Sequence, residues 1–431
     1  MDWFARWARD RPDAPFLIDG PEVLDYAAAL ARISGIAGGL RGRYSHGARL
    51  GVVMRPDIPH LVVAMAVPLA GMVLVPLPVA GSDDERRRLA DLAGVDDVVG
   101  PGDTEDGSPL PAVPDESVTA AAIFTSGTSG GPRAVRLTWS NIEASSAASA
   151  SHIDHRSDDR WLAVLPLHHV GGLSILWRSA RQGSAAVLAG RFDAATVAGL
   201  LAAGAVTLGS FVSPMLERLA DTGLERVPGF RLGLVGGGPA SERALSVGGM
   251  RLLATYGMTE TASQVATADP AEPRSDRLVV LEGARVTISG DGRIVVDGPM
   301  VSPGDLDAPD RGGPLLTGDL GRFHGNRLEV MGRADDVIVT GGENVMPERV
   351  ERIAATLSGA GEVAVVGLTD DRWGMIVAAA FTGPAEPDEL QDALQGHLAP
   401  HEIPRRWVRV TAIPKRGIGK VDRQAVGALF D

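Results

Sequence analysis

The sequence contains no cysteine, which excludes disulfide bonds, thiolate metal sites and cysteine nucleophiles. Basic residues are also in deficit, since 41 lysines and arginines face 54 aspartates and glutamates, for a formal charge of -13. Proteins that bind nucleic acid or anionic membranes generally need a basic face, so neither partner is expected. The N-terminal segment, residues 1–15, is charged, is interrupted by prolines and has no apolar signal-peptide core. We therefore expect a cytoplasmic protein.

Long apolar runs are scarce as well, and the one at residues 61–80 is interrupted. Its sequence, LVVAMAVPLAGMVLVPLPVA, carries no charge and is long enough to cross a bilayer. Three prolines and Gly71 break it, and a proline inside a helix removes a backbone hydrogen bond. We predict a helix that ends near Ala70, a turn at Gly71 and a buried strand, MVLVPL, rather than a membrane span.

The chain has enough apolar residues for a large core. It has 431 residues, of which 45% are hydrophobic, so more than one domain is expected. Short buried strands at 51–54, 121–124 and 231–237 are separated by helical patterns, including those at 25–41 and 81–94. This alternation predicts an α/β fold with a largely parallel sheet.

The pattern changes after about residue 283. RVTISGDGRIVVDG and LGRFHGNRLEVMGR each hold two alternating runs joined by a glycine-containing turn, which predicts two hairpins. A helix at 347–359, with proline near its start, and two more strands follow. We expect a boundary near Gly332–Asp336, with a large N-terminal domain of α/β sheets at 1–332 and a small α+β C-terminal domain at 333–431.

A loop rich in glycine and hydroxyl groups, TSGTSGGPR at residues 125–133, follows one of the predicted strands. Its backbone N–H groups can approach an anion closely, its hydroxyls can donate, and Arg133 adds a fixed positive charge. These properties suit a polyphosphate, although the composition is equally typical of a flexible surface turn. The order is not G-x-x-x-x-G-K-[ST], which excludes a P-loop NTPase.

The loop resembles the phosphate-binding signature of the adenylate-forming superfamily, which includes acyl-CoA synthetases, adenylation domains and luciferases. The usual form is [ST]-S-G-[ST]-[ST]-G-x-P-K, and this sequence departs from it only at Arg133. Further segments match the superfamily in its own order, so the resemblance covers nearly the whole chain. It implies phosphate contacts from Thr125, Ser126, Gly127, Thr128, Ser129, Gly130 and Arg133.

Three segments resemble the nucleotide site of the superfamily, although each alone could be an ordinary turn. YGMTE at 256–260 implies that Tyr256 stacks on adenine, Thr259 contacts phosphate and Glu260 ligates Mg²⁺. TGDLGRF resembles the segment whose aspartate, here Asp319, holds the ribose hydroxyls. VGGGPAS resembles the loop that lines the adenine pocket. The other implied contacts are Gly237, Gly238, Pro239 and Gly257, with Thr128 joining Glu260 at the metal.

The C-terminal part resembles the mobile domain of the superfamily. GRADDVIVTGGENVMPERVE at 332–351 looks like the domain junction, which implies that Arg333 reaches the ribose and Asp335 is the hinge. Gly341 and Gly342 would pass along the tunnel for the pantetheine of coenzyme A. PKRGIGKVDR matches the C-terminal P-x-x-x-x-G-K-[VIL]-x-R pattern. By that resemblance, Lys420 is the catalytic lysine that bridges the acyl carboxylate and the α-phosphate.

The acyl site is expected in residues 162–188, whose P-L-x-H-x-x-G-L-S-x-x-x-R run is similar to that of o-succinylbenzoate–CoA ligases of menaquinone synthesis. The resemblance implies that His169 gates the acyl pocket and acts as a catalytic residue. It makes Arg178 the partner of a second substrate carboxylate. The other implied pocket residues are Ser213, Pro214 and Gly257.

Residue chemistry alone leaves other interpretations of these positions open. Arg178 could be a helix-surface arginine, and His168 with His169 a satisfied buried pair. His152 and His155 have the spacing of metal ligands, but no other ligand cluster accompanies them, so we expect them in a solvated loop.

The resemblance implies an ATP-dependent acid–CoA ligase with an acyl-adenylate intermediate. ATP, Mg²⁺ and coenzyme A are the expected cofactors, and a small carboxylic acid, foremost o-succinylbenzoate, is the expected substrate. Three alternatives remain: a ligase for another aryl or short acyl acid, an adenylating enzyme that loads a separate carrier protein, and a catalytically silent nucleotide-binding protein. Assembly into a homo-oligomer is left open.

Overall fold

The computed structural model of the protein describes residues 3–103, 107–108, 118–126, 131–236, 242–416 and 420–430. Its helices are α1 Trp3–Asp10, α2 Tyr26–Arg43, α3 Ile58–Leu69, α4 Asp83–Leu92, α5 Trp139–Ile153, α6 Val170–Gln182, α7 Ala194–Ala202, α8 Ser213–Ala220, α9 Glu242–Leu245, α10 Pro347–Ala354, α11 Pro387–Leu394 and α12 Arg423–Gly427.

The strands fall into three main sheets and one short hairpin. They are β1 Pro15–Asp19, β2 Glu22–Asp25, β3 Arg49–Val53, β4 Val73–Leu77, β5 Asp97–Val98, β6 Thr119–Ser126, β7 Pro132–Thr138, β8 Arg160–Ala163, β9 Ala185–Leu188, β10 Leu208–Val212, β11 Leu232–Gly236, β12 Leu252–Met258, β13 Ser263–Ala268, β14 Arg277–Val280, β15 Arg285–Ile288, β16 Arg293–Asp297, β17 Gly304–Asp305, β18 Leu315–His324, β19 Arg327–Arg333, β20 Ile338–Thr340, β21 Glu343–Val345, β22 Val363–Asp370, β23 Gly374–Phe381, β24 Arg406–Arg409, β25 Lys415–Arg416 and β26 Lys420–Val421.

The largest sheet has thirteen strands in the order β15-β16-β18-β19-β14-β13-β12-β11-β10-β8-β9-β1-β2. From β1 to β12 the neighbouring strands run parallel. From β12 to β15 they run antiparallel. The predicted sheet is therefore only half right, because the two hairpins that follow residue 283 join the same sheet as the parallel strands. It is a mixed sheet rather than a largely parallel one.

The second sheet has six strands in the order β17-β7-β6-β4-β3-β5. The strands β5, β3, β4 and β6 are parallel, whereas β7 and β17 are added antiparallel. The main hydrophobic core joins the two large sheets through α2, α3 and α6. These helices bury apolar faces on both sides, which is why α3 is almost entirely apolar.

The C-terminal part has its own sheet, in the order β21-β20-β23-β22, with β24 paired to β23. Its two core clusters consist of residues between 338 and 430. α10 packs on this sheet, but it ends at Ala354 and not at residue 359 as predicted. A glycine with positive φ at Gly359 follows the end of the helix, and left-handed glycines do not continue a helix. The chain thus has a large α/β part and a small α+β part, as expected.

Local signals in the apolar run 61–80 were interpreted correctly. α3 ends at Leu69, Gly71 turns the chain with a φ of +81°, and β4 is fully buried. A side chain at Gly71 would also lie 2.7 Å from the His46 ring, so glycine is required on two counts. Within the described residues, the helices are all too short or too polar to cross a membrane.

Candidate active site

Several predicted site segments meet at one edge of the thirteen-stranded sheet. The strands β8, β10, β11 and β12 run parallel, so their carboxyl ends lie at the same edge, where α/β sheets usually bind ligands. His169 follows β8, Ser213 follows β10 directly, and Tyr256 lies in β12 itself. The predicted adenine loop follows β11, and its Gly237, Gly238 and Pro239 lie outside the described residues.

Tyr256, Asp319 and Arg333 form a hydrogen-bonded cluster. The Tyr256 hydroxyl donates to Oδ2 of Asp319 over 2.8 Å, and Nη1 of Arg333 donates to Oδ1 over 3.2 Å. Asp319 in β18 and Arg333 in β19 are direct partners across the strand pair. Burial, followed by the charge of Asp319, raises the pKa of Tyr256 well above its usual value, so the phenol stays protonated. The three residues implied for adenosine binding are thus in contact.

Close backbone packing surrounds this cluster. A side chain at Gly257 would lie 1.7 Å from the carbonyl oxygen of Ser263, because an irregularity in the β12–β13 register brings the two strands together there. A side chain at Gly318 would lie 2.5 Å from Nη2 of Arg333. Glycine is therefore needed at Gly318 to let Arg333 reach Asp319. The motif TGDLGRF contained this glycine, but its function became clear only from the contact.

Glu260, the predicted magnesium ligand, lies in a short 3₁₀ turn, Thr259–Thr261, and is 8% exposed. Its carboxylate accepts a hydrogen bond from Nη2 of Arg133. The other terminal nitrogen of Arg133, Nη1, donates to both oxygens of Asp305 over 3.0 and 3.2 Å. Arg133, predicted to contact phosphate, is thus bound by two carboxylates. Thr259 is half-buried in the same turn.

The phosphate loop is described only at its two ends. Thr125, near the carboxyl end of β6, has a buried hydroxyl oxygen with no hydrogen-bond partner among the described residues. A buried hydroxyl normally has a partner, so a ligand that reaches this point would satisfy it. The side chain of Ser126 and the residues Gly127, Thr128, Ser129 and Gly130 lie outside the described part.

His168 and His169 precede α6 and lie close together, with ring centroids 4.2 Å apart. Both rings are half-buried, and His169 occupies the N-cap position of α6. Burial, followed by the charge of His169, lowers the pKa of His168 to about 4, so His168 is neutral near pH 7. The pair is therefore neither fully buried nor on the open surface, and it lies at the sheet edge that carries Tyr256.

Arg178 lies on α6 and is only 3% exposed, which excludes the interpretation as a helix-surface arginine. Its guanidinium carbon lies 5.5 Å from the centre of the Trp161 ring, a cation–π contact. Nε and Nη2 have no hydrogen-bond partner among the described residues. Burial alone lowers the pKa of Arg178 to about 9. It is thus a buried cation that lacks a carboxylate partner within the described part of the chain.

The interpretation of His152 and His155 as part of a solvated loop was wrong. His152 lies in α5 and bonds to the carbonyl oxygen of Ala268 over 2.9 Å. His155 is 3% exposed and bonds through Nε2 to Oγ of Ser184 over 2.8 Å. The polar segment SHIDH gave no sign of this burial, which comes from residues distant in sequence. The described residues contain no cluster of three or more potential metal-ligating side chains.

The predicted hinge lies next to Arg333, one of the residues predicted to bind ribose. Asp335 is exposed, and its carboxylate is 3.6 Å from Nη2 of Arg333. Gly341 and Gly342 form the exposed turn between β20 and β21, with φ of +59° and +88°. Lys420 is described by its backbone in β26, and its side chain lies outside the described part.

Arg423, which sequence reasoning missed, anchors the C-terminal segment. Its guanidinium donates to Asp336, Glu348 and Glu351 and to the carbonyl oxygen of Val365. Three residues from Lys420, it ties α12 to α10 and to the residue after Asp335. The arginine of the C-terminal pattern was visible in the sequence, but its carboxylate partners were not.

Comparison with known proteins finds matching family models. A family model described as AMP-binding enzyme matches residues 4–109 and 99–304, and one described as AMP-binding enzyme C-terminal domain matches residues 349–420. Among curated relatives, a 2-succinylbenzoate–CoA ligase of Listeria monocytogenes is 37% identical over 325 residues. That match covers 72% of this chain and 70% of the relative.

Solved structures resemble nearly the whole chain. The o-succinylbenzoate CoA synthetase of Bacillus subtilis, solved with its acyl-adenylate intermediate, has a TM-score of 0.86 and 26% identity, and the match covers 99% of this chain and 97% of that one. The same enzyme solved with ATP and magnesium has a TM-score of 0.87, with 98% of each chain covered.

Proposed function

Because the chain belongs to the AMP-binding enzyme family, we propose that it is an AMP-forming acid–CoA ligase that converts o-succinylbenzoate to o-succinylbenzoyl-CoA in menaquinone synthesis. The observation that carries this proposal is the similarity, along nearly all of the chain, to a synthetase bound to o-succinylbenzoyl-adenylate. We further propose that the protein works in the cytoplasm, where ATP and coenzyme A are supplied.

The first half-reaction joins the acid to AMP. A carboxylate oxygen of the acid attacks the α-phosphorus of ATP, the bond to the β,γ-diphosphate breaks, and pyrophosphate leaves. Asp319 is suited to hold the ribose, because its carboxylate can accept hydrogen bonds from the ribose hydroxyls while Tyr256 and Arg333 hold it in position. Tyr256 also offers a ring for adenine to stack on.

Metal binding is assigned to Glu260, together with Thr128 outside the described residues. A carboxylate is a ligand suited to Mg²⁺, and in this structure the Glu260 carboxylate already holds a cation, the Arg133 guanidinium. When bound, Mg²⁺ would neutralise charge on the ATP phosphates. Lys420 is proposed to reach the reacting carboxylate and α-phosphate from the C-terminal part.

Substrate choice is assigned to Arg178. o-Succinylbenzoate carries two carboxylates, and one must remain bound while the other reacts. A buried guanidinium with two nitrogens unsatisfied by any described residue is a strong site for such a group, because the carboxylate would supply both the missing hydrogen bonds and the missing charge. His169, Ser213 and Pro214 are proposed to line the pocket between this charge and the nucleotide.

The second half-reaction transfers the acyl group. The thiol of coenzyme A attacks the acyl carbon, AMP leaves, and a thioester forms. We propose that residues 333–431 rotate about Asp335 relative to residues 1–332 between the two steps, removing Lys420 and bringing Gly341 and Gly342 beside the pantetheine.

The purified protein with ATP, Mg²⁺ and coenzyme A tests this function directly. We expect release of pyrophosphate and formation of a coenzyme A thioester with o-succinylbenzoate, and much lower kcat/KM with benzoate, cinnamate, acetate or malonate. A preference for one of those acids would replace the substrate. Adenylate formation without thioester formation would instead favour transfer to a carrier protein.

A further inference from the structure

The forked contact of Arg133 involves a carboxylate that has no assigned function. Arg133 bridges Glu260 on one side and Asp305 on the other. Glu260 is nearly buried, whereas the side chains of Arg133 and Asp305 are 42% and 34% exposed. Asp305 is distant in sequence from both the phosphate loop and the YGMTE segment. It is nevertheless the second partner of the cation that neutralises the proposed metal ligand.

The fold places Asp305 beside Arg133 by backbone pairing. β17 consists of Gly304 and Asp305 and pairs with β7, so Asp305 lies opposite Val135. Gly304 has a φ of +133°, which favours glycine. The backbone N–H of Ser302 donates to the carbonyl oxygen of Glu260 over 2.8 Å, which ties this segment to the metal-ligand turn. Asp305 is therefore held on a backbone scaffold.

Electrostatics explains why a second carboxylate is useful here. A buried carboxylate needs a counter-charge, and Arg133 supplies it to Glu260 when no metal is bound. Once Mg²⁺ binds Glu260, an unpaired guanidinium at the same carboxylate would repel the metal. With Asp305 present, Arg133 remains neutralised when it releases Glu260. The guanidinium then adds little net charge beside the metal.

We propose that Asp305 is a positioning residue of the magnesium site, which retains Arg133 while Glu260 exchanges the guanidinium for Mg²⁺. The inference rests on the proposed function, in which Glu260 ligates the metal. In this proposal, Asp305 and Arg133 affect the metal through Glu260 and do not contact the reacting atoms.

The first test measures Mg²⁺ affinity without catalysis. Titration calorimetry would follow Mg²⁺ binding to the protein in the presence of an ATP analogue with a non-cleavable α,β bridge. Asp305→Asn should raise the Kd for Mg²⁺ by about ten-fold, the size expected when a charge-assisted contact is lost. Asp305→Glu should restore most of the affinity.

A matched control is available on the same segment. Asp310 pairs with Arg136 of β7 over 2.9 Å, as Asp305 pairs with Arg133, but Asp310 is 77% exposed. Among the described residues, its partner Arg136 has no hydrogen bond to Glu260, whereas Arg133 has one. Asp310→Asn should leave the Kd for Mg²⁺ within about two-fold of the original value, because exposed ion pairs contribute little. An equal effect of both substitutions would overturn the proposal.

A double substitution separates positioning from simple structural support. If Asp305 acts by neutralising Arg133, then Arg133→Met should remove the need for it, and the Arg133→Met/Asp305→Asn protein should bind Mg²⁺ more tightly than Asp305→Asn alone. Additive losses would contradict the inference. Glu260→Gln separates the two proposals: unchanged Mg²⁺ affinity refutes the metal role of Glu260. If Glu260→Gln weakens Mg²⁺ binding but Asp305→Asn leaves it unchanged, only the role of Asp305 is refuted.

Discussion

Replacement of Arg178 by methionine should have opposite effects on stability and on substrate binding. Methionine is unbranched and flexible, so it can replace the aliphatic part of the arginine side chain without the charge. Arg178 is 3% exposed, has no carboxylate partner, and has two nitrogens without hydrogen bonds among the described residues. In the free protein the guanidinium is therefore an unfavourable buried charge. With a dianionic substrate bound, we expect it to become the partner of the second carboxylate.

The stability change can be sized from the pKa. Burial lowers the pKa of Arg178 from 12.5 to about 9, and each pH unit corresponds to about 1.4 kcal/mol. The shift corresponds to a free-energy cost of roughly 3–5 kcal/mol for burying the charged guanidinium. The cation–π contact with Trp161 offsets part of that cost. Both the folded and the unfolded pKa lie above neutrality, so Arg178 is charged in both states and the cost is constant between pH 6 and 8. Arg178→Met should raise the Tm by about 2 °C or more.

The same substitution should weaken the binding of o-succinylbenzoate. Removing a charge-assisted contact weakens binding by about 1.5–3 kcal/mol, which is roughly ten- to a hundred-fold in KM for o-succinylbenzoate. The KM for ATP should change by less than about two-fold, because Arg178 lies on α6 whereas the residues proposed to bind the nucleotide lie on β12, β18 and β19. The preference for o-succinylbenzoate over the monoester of its non-reacting carboxylate should also collapse, since only the dianion needs the second cation. Steady-state pyrophosphate release and differential scanning fluorimetry provide the measurements.

Arg181, three residues further along α6, is the control. It is ion-paired to Glu143 over 2.8 Å and is partly exposed, so Arg181→Met should lower the Tm slightly and leave the KM for the acid unchanged. If Arg178→Met destabilised the protein and left both KM and the monoester preference unchanged, then Arg178 would be a structural cation. Another residue would then bind the second carboxylate.

Three further predictions concern the other parts of the site. Lys420→Ala should slow adenylate formation by about a hundred-fold or more while sparing transfer from pre-made acyl-adenylate to coenzyme A. Asp335→Pro should impair the transfer step more than adenylate formation. If Lys420→Ala slowed both steps equally in single-turnover assays, domain rotation would be refuted. Asp319→Asn should raise the KM for ATP by about ten-fold, because Arg333 and the ribose lose a charged acceptor, whereas Asp291→Asn on an exposed turn should not. Burial, then Arg178, lowers the pKa of His155 to about 3, so the folded state binds its proton less readily than the unfolded state. The neutral His155 therefore stabilises the fold above about pH 6.5, and this stability is lost as the pH falls from about 6.5 towards 3. In denaturant unfolding at pH 7 and pH 5, His155→Gln should reduce the loss of unfolding free energy between the two pH values by about 1–2 kcal/mol.

Features governed by local chemistry could be predicted from the sequence. Ser82 caps α4 by accepting from the backbone N–H of Glu85, and Gly71 ends the apolar helix, as the residue types suggested. The two glycine turns after residue 283 join the hairpins β15–β16 and β18–β19. In each case the determining contacts lie within a few residues, so a short window of sequence contains the necessary information.

Features governed by contacts distant in sequence could not be predicted. His155 lies in a polar segment, but its partner Ser184 is 29 residues away, and the Tyr26 hydroxyl, which donates to the carbonyl oxygen of Ser184, is more distant still. Asp305 is 172 residues from Arg133, and no local pattern connects them. The antiparallel half of the large sheet could not be predicted for the same reason, since strand pairing depends on tertiary packing more than on the sequence of each strand. A period-two pattern identifies a strand, but it does not identify its neighbour.

The two arginines with proposed ligand roles differ in a way that only the structure reveals. Arg133 stands in a phosphate motif and Arg178 in an acyl-site motif, so the sequence resemblance implied an anionic ligand for both. Arg133 contacts two carboxylates, which neutralise its charge, whereas Arg178 is buried and contacts no carboxylate of the described residues. A guanidinium that is already neutralised attracts a further anion weakly, while an unpaired buried one attracts it strongly. We therefore infer that the phosphates are held mainly by the N–H and hydroxyl groups of the loop and by the metal. The second carboxylate of the acid would be held by Arg178, and a Kd for ATP that is insensitive to Arg133→Met when Mg²⁺ is saturating would support this division.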